Sequence, residues 1–200
     1  MRHAEPTNSQ KIVVVDTDPN VRRMARDTLE NQFQHQVIAE ASSGTEMVRT
    51  VLAVEPDVVV FDLHLPRLNG LDALREVHQE RLVAGVVMTT DRDPNLVRQA
   101  LKQHVMAYLL KPFDAHQLGA AVVVAASCFR ALRELAEANE SLRQNLENRK
   151  IIERAKGVLM KRHRYSEADA FRRLQRGAMN RRTSMIQLAQ AVLNGEQYDL

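Results

Sequence analysis

Hydrophobic and polar positions change their period along this chain, and the changes mark its elements. Up to about residue 110, short runs that are apolar at nearly every position alternate with longer amphipathic stretches. The runs IVVVD, QVIAEA, DVVVF, GVVMT and MAYL, at 12–16, 36–41, 57–61, 85–89 and 106–109, read as strands rich in β-branched residues. Strands apolar on both faces are those of a parallel sheet covered by helices on each side. Amphipathic stretches at 19–32, 44–54, 70–80 and 93–103 predict helices, and a fifth opens at Asp114, a suitable N-cap. Five βα units predict an α/β domain over 10–127, a doubly wound five-stranded parallel sheet. Its functional residues are then expected at the carboxyl ends of the strands.

Beyond Asp114 the pattern becomes purely helical. No proline occurs between 114 and 160, and the glycines there are only Gly119 and Gly157, which allows one long helix. Cys128, Leu132, Leu135, Asn139, Leu142 and Leu146 follow one another at alternating spacings of four and three. That is a coiled-coil seam with Leu132, Asn139 and Leu146 at the a positions, where a single asparagine fits a parallel pair and fixes its register. The 128–147 helix is therefore expected to form a homodimer; the alternative is that the seam packs against the chain's own C-terminal helices. Ser166 ahead of EADAFRRL is an N-cap with Asp169 as its acidic partner, and a last helix at 184–193 is stopped by Asn194-Gly195. Ala155, Leu159, Ala170, Phe171, Leu174, Ala178, Leu188, Ala189 and Val192 are the expected core of a small all-α three-helix bundle over 148–195. The tail at 196–200 is expected to be frayed.

Charge divides the chain near the same place. Residues 1–147 carry 16 basic and 20 acidic side chains, whereas 148–200 carry 12 basic and 5 acidic ones. So concentrated a positive surface calls for a polyanionic partner, although charge alone does not separate RNA from DNA, and three helices also suit a helix-turn-helix. The single cysteine, Cys128, excludes an internal disulfide framework and a zinc cluster. No apolar run reaches membrane-spanning length, and the opening MRHAEPTNSQ lacks the apolar stretch of a signal peptide, so a cytoplasmic protein without membrane contact is expected.

Candidate chemistry gathers at the strand ends. Asp16 and Asp18 follow the first strand, Asp62 the third, Thr89 ends the fourth and Lys111 follows the fifth. In an open α/β sheet these positions converge on one crevice. Carboxylates there are suited to a hard divalent cation such as Mg²⁺, with Asp16, Asp62, Asp18 and the backbone of His64 as candidate ligands. Asp62 is placed to act as an aspartyl nucleophile toward a phosphoryl group, with Lys111 and the Thr89 hydroxyl hydrogen-bonding its oxygens.

VVVDTD, DVVVFDLHLPRLNGLDAL, VVMTT and AYLLKPF together resemble the receiver domain of two-component response regulators, over about residues 10–127. The resemblance implies a flavodoxin-like fold, Asp62 as phospho-acceptor, Thr89 and Lys111 as its switch partners, and Tyr108 as the aromatic switch. It also implies control by a cognate sensor histidine kinase, and no enzymatic activity on a separate substrate. Receivers usually carry adjacent acids after the first strand; here Thr17 holds the second position, so Mg²⁺ affinity is expected to be reduced. Two modes of control follow: phosphorylation, or contact with a sensor protein.

ERAKGVLM, SEADAF, RRLQRGAMNRR and IQLAQAVL resemble the ANTAR domain, the output module of the amidase and nitrate antitermination regulators, over about 147–194. NRRTSM departs from the family's pattern before the last helix. The resemblance implies binding to paired hairpins in nascent messenger RNA and transcription antitermination. Lys156, Arg173, Arg176, Arg181 and Arg182 are the candidate RNA contacts, with Lys150 and Arg154 next. Ala155 and Gly157 are places where a base or backbone could come close, or where helices simply pack.

Overall fold

The structure is a computed structural model describing residues 9–195; the tail at 196–200 lies outside them. The strands are β1 (Lys11–Val15), β2 (Gln36–Ala41), β3 (Val58–Phe61), β4 (Ala84–Thr89) and β5 (Val105–Leu110). They form one parallel sheet in the order β2-β1-β3-β4-β5, the doubly wound sheet expected from the sequence. The helices are α1 (Pro19–Asn31), α2 (Gly44–Val54), α3 (Gly70–Glu80), α4 (Pro94–Leu101), α5 (Ala115–His163), α6 (Glu167–Arg181) and α7 (Met185–Leu193).

Alternation along each strand sends successive side chains to opposite faces. Val13, Val15, Val59, Phe61 and Val87 join one core cluster with Met47 and Val51 of α2 and Leu71, Leu74 and Val77 of α3. Ile12, Val14, Val58, Val60, Val86 and Met88 join the other, with Ala25 and Leu29 of α1 and Leu118 and Val122 of α5. Both faces are dry, which explains runs without polar alternation.

Local chemistry then fixes the loops at the carboxyl edge. Asp18, Ser43, Asn69 and Asp93 each cap the helix that follows, accepting a backbone N–H of its first turn. Asp114 caps α5 reciprocally: its Oδ1 accepts from the Gln117 N–H at 2.8 Å, and its own N–H donates to Gln117 Oε1 at 2.9 Å.

The chain divides into two compact units, Met1–Arg133 and Glu134–Leu200. The core of the second is Ala155, Leu159, Ala170, Leu174, Ala178, Leu188, Ala189 and Val192. Phe171, expected in that core, is instead 39% exposed. The buried stripe of α6 runs through Ala170, Leu174, Gly177 and Ala178, and Phe171 sits about 100° round the helix from Ala170. Asp169 pairs with the Ser166 hydroxyl at 2.6 Å, whereas a full capping box closes on α7, between Ser184 and Gln187.

The helix α5 is continuous for 49 residues. Along it Leu132, Leu135, Leu142 and Leu146 are 50%, 67%, 64% and 60% exposed, so within the second unit α6 and α7 leave Leu135, Leu142 and Leu146 largely uncovered. Among the described residues no helix is long and apolar enough to cross a membrane.

Candidate functional site

The strand ends bring three of the predicted residues into direct contact. Lys111 Nζ donates to Asp16 Oδ2 and to Asp62 Oδ2, at 2.5 Å each, bridging residues from three loops. The second oxygen of each carboxylate is held by a backbone amide. Asp16 Oδ1 accepts from the Asp18 N–H at 2.9 Å, and Asp62 Oδ1 accepts from the His64 N–H at 3.1 Å. The side chain of Asp16 is 1% exposed, that of Asp62 12% and that of Lys111 16%. Burial opposes the charge on Lys111, but the hydrogen bonds and charges of Asp16 and Asp62 outweigh it and raise its pKa. The ammonium therefore stays charged, pinned between two carboxylates.

Asp18 does not join this cluster. Its carboxylate accepts from the Asn20 N–H at 2.8 Å as the cap of α1, and the residue is exposed. Among the described residues no group of three or more histidine, cysteine, aspartate and glutamate side chains is arranged to hold a metal. Arg22, which sequence reasoning passed over, braces the same loop. Its guanidinium donates to the carbonyls of Asp16 (2.7 Å) and Thr17 (3.3 Å) and pairs with Glu40 at 3.0 Å.

Thr89 is fully buried, and its hydroxyl accepts from the Asp91 N–H at 3.2 Å. Tyr108, half-buried against the sheet, donates its hydroxyl to the Asp91 carbonyl at 3.2 Å. His64 reaches over from the β3–α3 loop and places Nε2 3.2 Å from Asp91 Oδ2. Asp91 is thus tied through its amide, its carbonyl and its side chain to three of the predicted residues. Its carboxyl is held below its ordinary range, first by the Asp93 N–H and then by His64. Nothing in the sequence pattern announces Asp91 as a node, because two of its partners come from elsewhere in the chain, Tyr108 on β5 and His64 on the β3–α3 loop.

In the second unit the predicted cations separate into two groups. Arg154, Arg173, Arg176, Arg181 and Arg182 are exposed; Lys150 is exposed and pairs with Glu147 at 2.6 Å. Lys156 is not available as an outward contact: its side chain is 8% exposed, and Nζ binds Glu153 at 2.9 Å and Glu167 at 2.7 Å. Hydrogen bonds to Glu167 and Glu153 raise its pKa, so it is a fixed charge joining α5 to the start of α6. Ala155 packs in the core, whereas a Cβ on Gly157 would meet open space.

A 2-1-3-4-5 parallel sheet whose strand ends hold a carboxylate–lysine–carboxylate cluster defines a receiver-type signalling domain, here followed by a basic helical unit. The family of response regulator receiver domains matches residues 12–123, and the ANTAR domain family matches residues 140–193. The chain belongs to the response regulators and combines a receiver domain with an ANTAR domain. It is 37% identical over 181 residues to the transcriptional regulatory protein PdtaR of Mycobacterium tuberculosis, covering 90% of this chain and 88% of that one. The receiver resembles a two-component response regulator of the LuxR family from Aurantimonas (27% identity, TM-score 0.57), covering 60% of this chain and 86% of that one. It also resembles the signal receiver domain of NarL from Mycobacterium tuberculosis (26% identity, TM-score 0.57), covering 60% and 97%.

Receiver domains in general bind Mg²⁺ for phosphorylation. The donor chemistry here fits such an ion in part: anionic oxygens of Asp16 and Asp62 already converge on one cationic atom, Lys111 Nζ, and both carboxylates are partly or wholly withdrawn from solvent.

Proposed function

We propose that this protein is a phosphorylation-controlled transcription antiterminator that accepts phosphate on Asp62 and binds hairpins in nascent messenger RNA. The observation that carries the reading is the Asp16–Lys111–Asp62 bridge on a sheet of receiver order, in one chain with an ANTAR match. An Asp62 carboxylate oxygen attacks the phosphorus of a donor, an acyl phosphate forms, and the donor's leaving group departs. Asp16, Asp62 and the His64 carbonyl would hold Mg²⁺, which supplies charge neutralisation for the phosphoryl oxygens. Lys111 exchanges its bond with Asp62 for one with a phosphoryl oxygen.

The Thr89 hydroxyl turns to donate to another phosphoryl oxygen and gives up the Asp91 amide. Tyr108, which shares Asp91, is released with that loop. The phosphoryl group thereby shifts an existing equilibrium of the β4–α4 loop and the β5 face. A cognate sensor histidine kinase is the proposed phosphate source.

On this reading 10–127 is the receiver, 128–147 pairs two copies, and 148–195 binds RNA, in the cytoplasm. The exposed leucines of the seam support the homodimer, and the exposed Arg154, Arg173, Arg176, Arg181 and Arg182 support an extended phosphate-binding face. Two tethered bundles then grip two hairpins far better than either grips one. A second reading is favoured by Thr17 and by the engagement of Asp18 in capping. In it the metal site is weakened and a sensor protein, rather than phosphate, sets the receiver's state.

The test is labelling with acetyl phosphate and Mg²⁺, read together with affinity for a two-hairpin RNA leader in moderate salt. Wild type should be labelled and bind the leader more tightly when labelled, and Asp62→Ala should do neither. Equal labelling of the two proteins excludes Asp62 as acceptor. Labelling without any change in RNA affinity favours the sensor-protein reading, and tighter binding to a duplex DNA of equal charge excludes RNA as the target.

A further inference from the structure

We propose that His163, Tyr165 and Arg173 form a stacking platform for one unpaired RNA base. This rests on the RNA-binding reading of the C-terminal unit and adds to it the subsite that takes a base rather than a phosphate. Tyr165 lies in the short connection between α5 and α6, half-buried and packed on the bundle core. The imidazole of His163, the last residue of α5, stacks on it with centroids 5.1 Å apart and planes 14° from parallel. The guanidinium carbon of Arg173, from α6, stands 4.4 Å from the centre of the same ring. Arg164, between the two rings in sequence, has φ of 57°; this left-handed turn ends the helix and folds Tyr165 back toward His163.

Closing the α5–α6 connection needs only the buried part of Tyr165. The rest of the arrangement points outward. His163 is exposed, so its imidazole is within reach of a further planar group from solvent. Lys161, Arg162 and Arg164 flank it, all exposed, with no acid among residues 161–165. Cations that hold phosphates beside an open π face are the combination that recognises a nucleotide with a free base. Arg173 over the ring adds cation–π character and keeps Tyr165 in place. In a duplex the base faces are already stacked on one another, so the ligand this platform fits is an unpaired base, as in a hairpin loop.

The test titrates the full-length protein into RNA hairpins with an all-adenine loop, each loop base in turn replaced by 2-aminopurine. A blunt RNA duplex with the same number of phosphates serves as reference. Wild type and Tyr165→Phe should quench the fluorophore at one or more loop positions. His163→Ala and Tyr165→Leu should lose that quenching and bind the hairpin about 5- to 150-fold more weakly, with duplex affinity unchanged. His163→Ala alters only an exposed side chain and Tyr165→Leu keeps an apolar contact with the core, so helix content should be unaltered. Variants that quench and bind like wild type, or that weaken hairpin and duplex alike, overturn the platform and leave RNA binding standing. A wild type that binds neither RNA overturns both.

Discussion

Gly70 stands directly against the backbone of Asp62: a Cβ on it would lie 2.2 Å from the Asp62 carbonyl oxygen and 2.6 Å from the Phe61 ring. The same residue donates its N–H to the Leu63 carbonyl at 2.9 Å, so the start of α3 is pressed onto the end of β3. Asn69 ahead of it caps the helix by accepting the Asp72 N–H. The Asn-Gly pair, which reads in the sequence as a simple turn, thus lets α3 approach the proposed acceptor closely. Gly70→Ala should lower stability by about 2–3 kcal/mol, since overpacking here displaces backbone rather than a flexible side chain. It should also slow labelling by acetyl phosphate. A urea midpoint equal to wild type would contradict the close approach.

Lys111 separates two carboxylates that would otherwise face each other in a largely water-excluded crevice. Lys111→Met should cost about 2–3 kcal/mol, below the range for fully buried pairs because the site retains some solvent contact. Mg²⁺ should then stabilise the variant more than wild type, because the cation replaces the missing ammonium between Asp16 and Asp62. Thermal melts at increasing MgCl₂ read this directly. Equal shifts in both proteins would show that these carboxylates do not share a cation.

Thr17 tests how far the first loop limits the metal. Thr17→Asp should tighten Mg²⁺ binding about tenfold, near 1.4 kcal/mol, by adding an anionic oxygen donor at the loop position where receivers carry their second acid. Asp18→Asn keeps an equally good cap for α1 and should leave Mg²⁺ affinity where it was. Calorimetric titration of the three proteins separates the two positions. A large loss in Asp18→Asn would mean that Asp18 leaves its cap to join the metal.

Much of this was legible from period and spacing, and the remainder had a physical reason to be hidden. Strands buried on both faces show as unbroken β-branched runs, so the sheet and the convergence of Asp16, Asp62 and Lys111 could be read directly. The burial of Lys156 could not, because it depends on Glu167, 11 residues away on another helix, swinging onto the same ammonium. Phe171 was misplaced since hydrophobicity alone does not say which of two adjacent residues, Ala170 or Phe171, lies on the inner stripe. Asp91 is held largely through its own amide and carbonyl, and Arg22 acts on the carbonyls of the β1–α1 loop; backbone groups leave no residue-type signal.

One buried and one half-buried histidine give the receiver an acid limit. Burial lowers the pKa of His35 below 6.5, and burial does the same for His78 despite its hydrogen bond with the Val83 carbonyl. Groups whose folded pKa is depressed contribute stability that is complete above the unfolded value and lost as pH falls through the folded one. Stability should therefore hold at pH 7 and above and decline as pH drops below about 6.5, before the paired carboxylates Glu40 and Glu46 begin to protonate. His35→Gln should flatten that decline between pH 6.5 and 5. Urea midpoints measured across this window decide it, and an unchanged slope would remove His35 as a cause.

The seam of α5 provides the last prediction. Leu135 and Leu142 are 67% and 64% exposed in the single chain, so replacing both with lysine removes little packing from it. The double variant Leu135→Lys/Leu142→Lys should unfold in urea with an unchanged receiver transition. In a paired coiled coil the same lysines would bring like charges into an apolar interface at two d positions, and association should fail. Sedimentation should then give the mass of one chain for the variant and of two for wild type. Affinity for a single hairpin should be preserved, whereas affinity for a two-hairpin RNA should fall by about 100-fold or more, since the second contact is no longer intramolecular. If the variant still sediments as a dimer, the leucines belong to some other contact, and the two-hairpin grip needs a different origin.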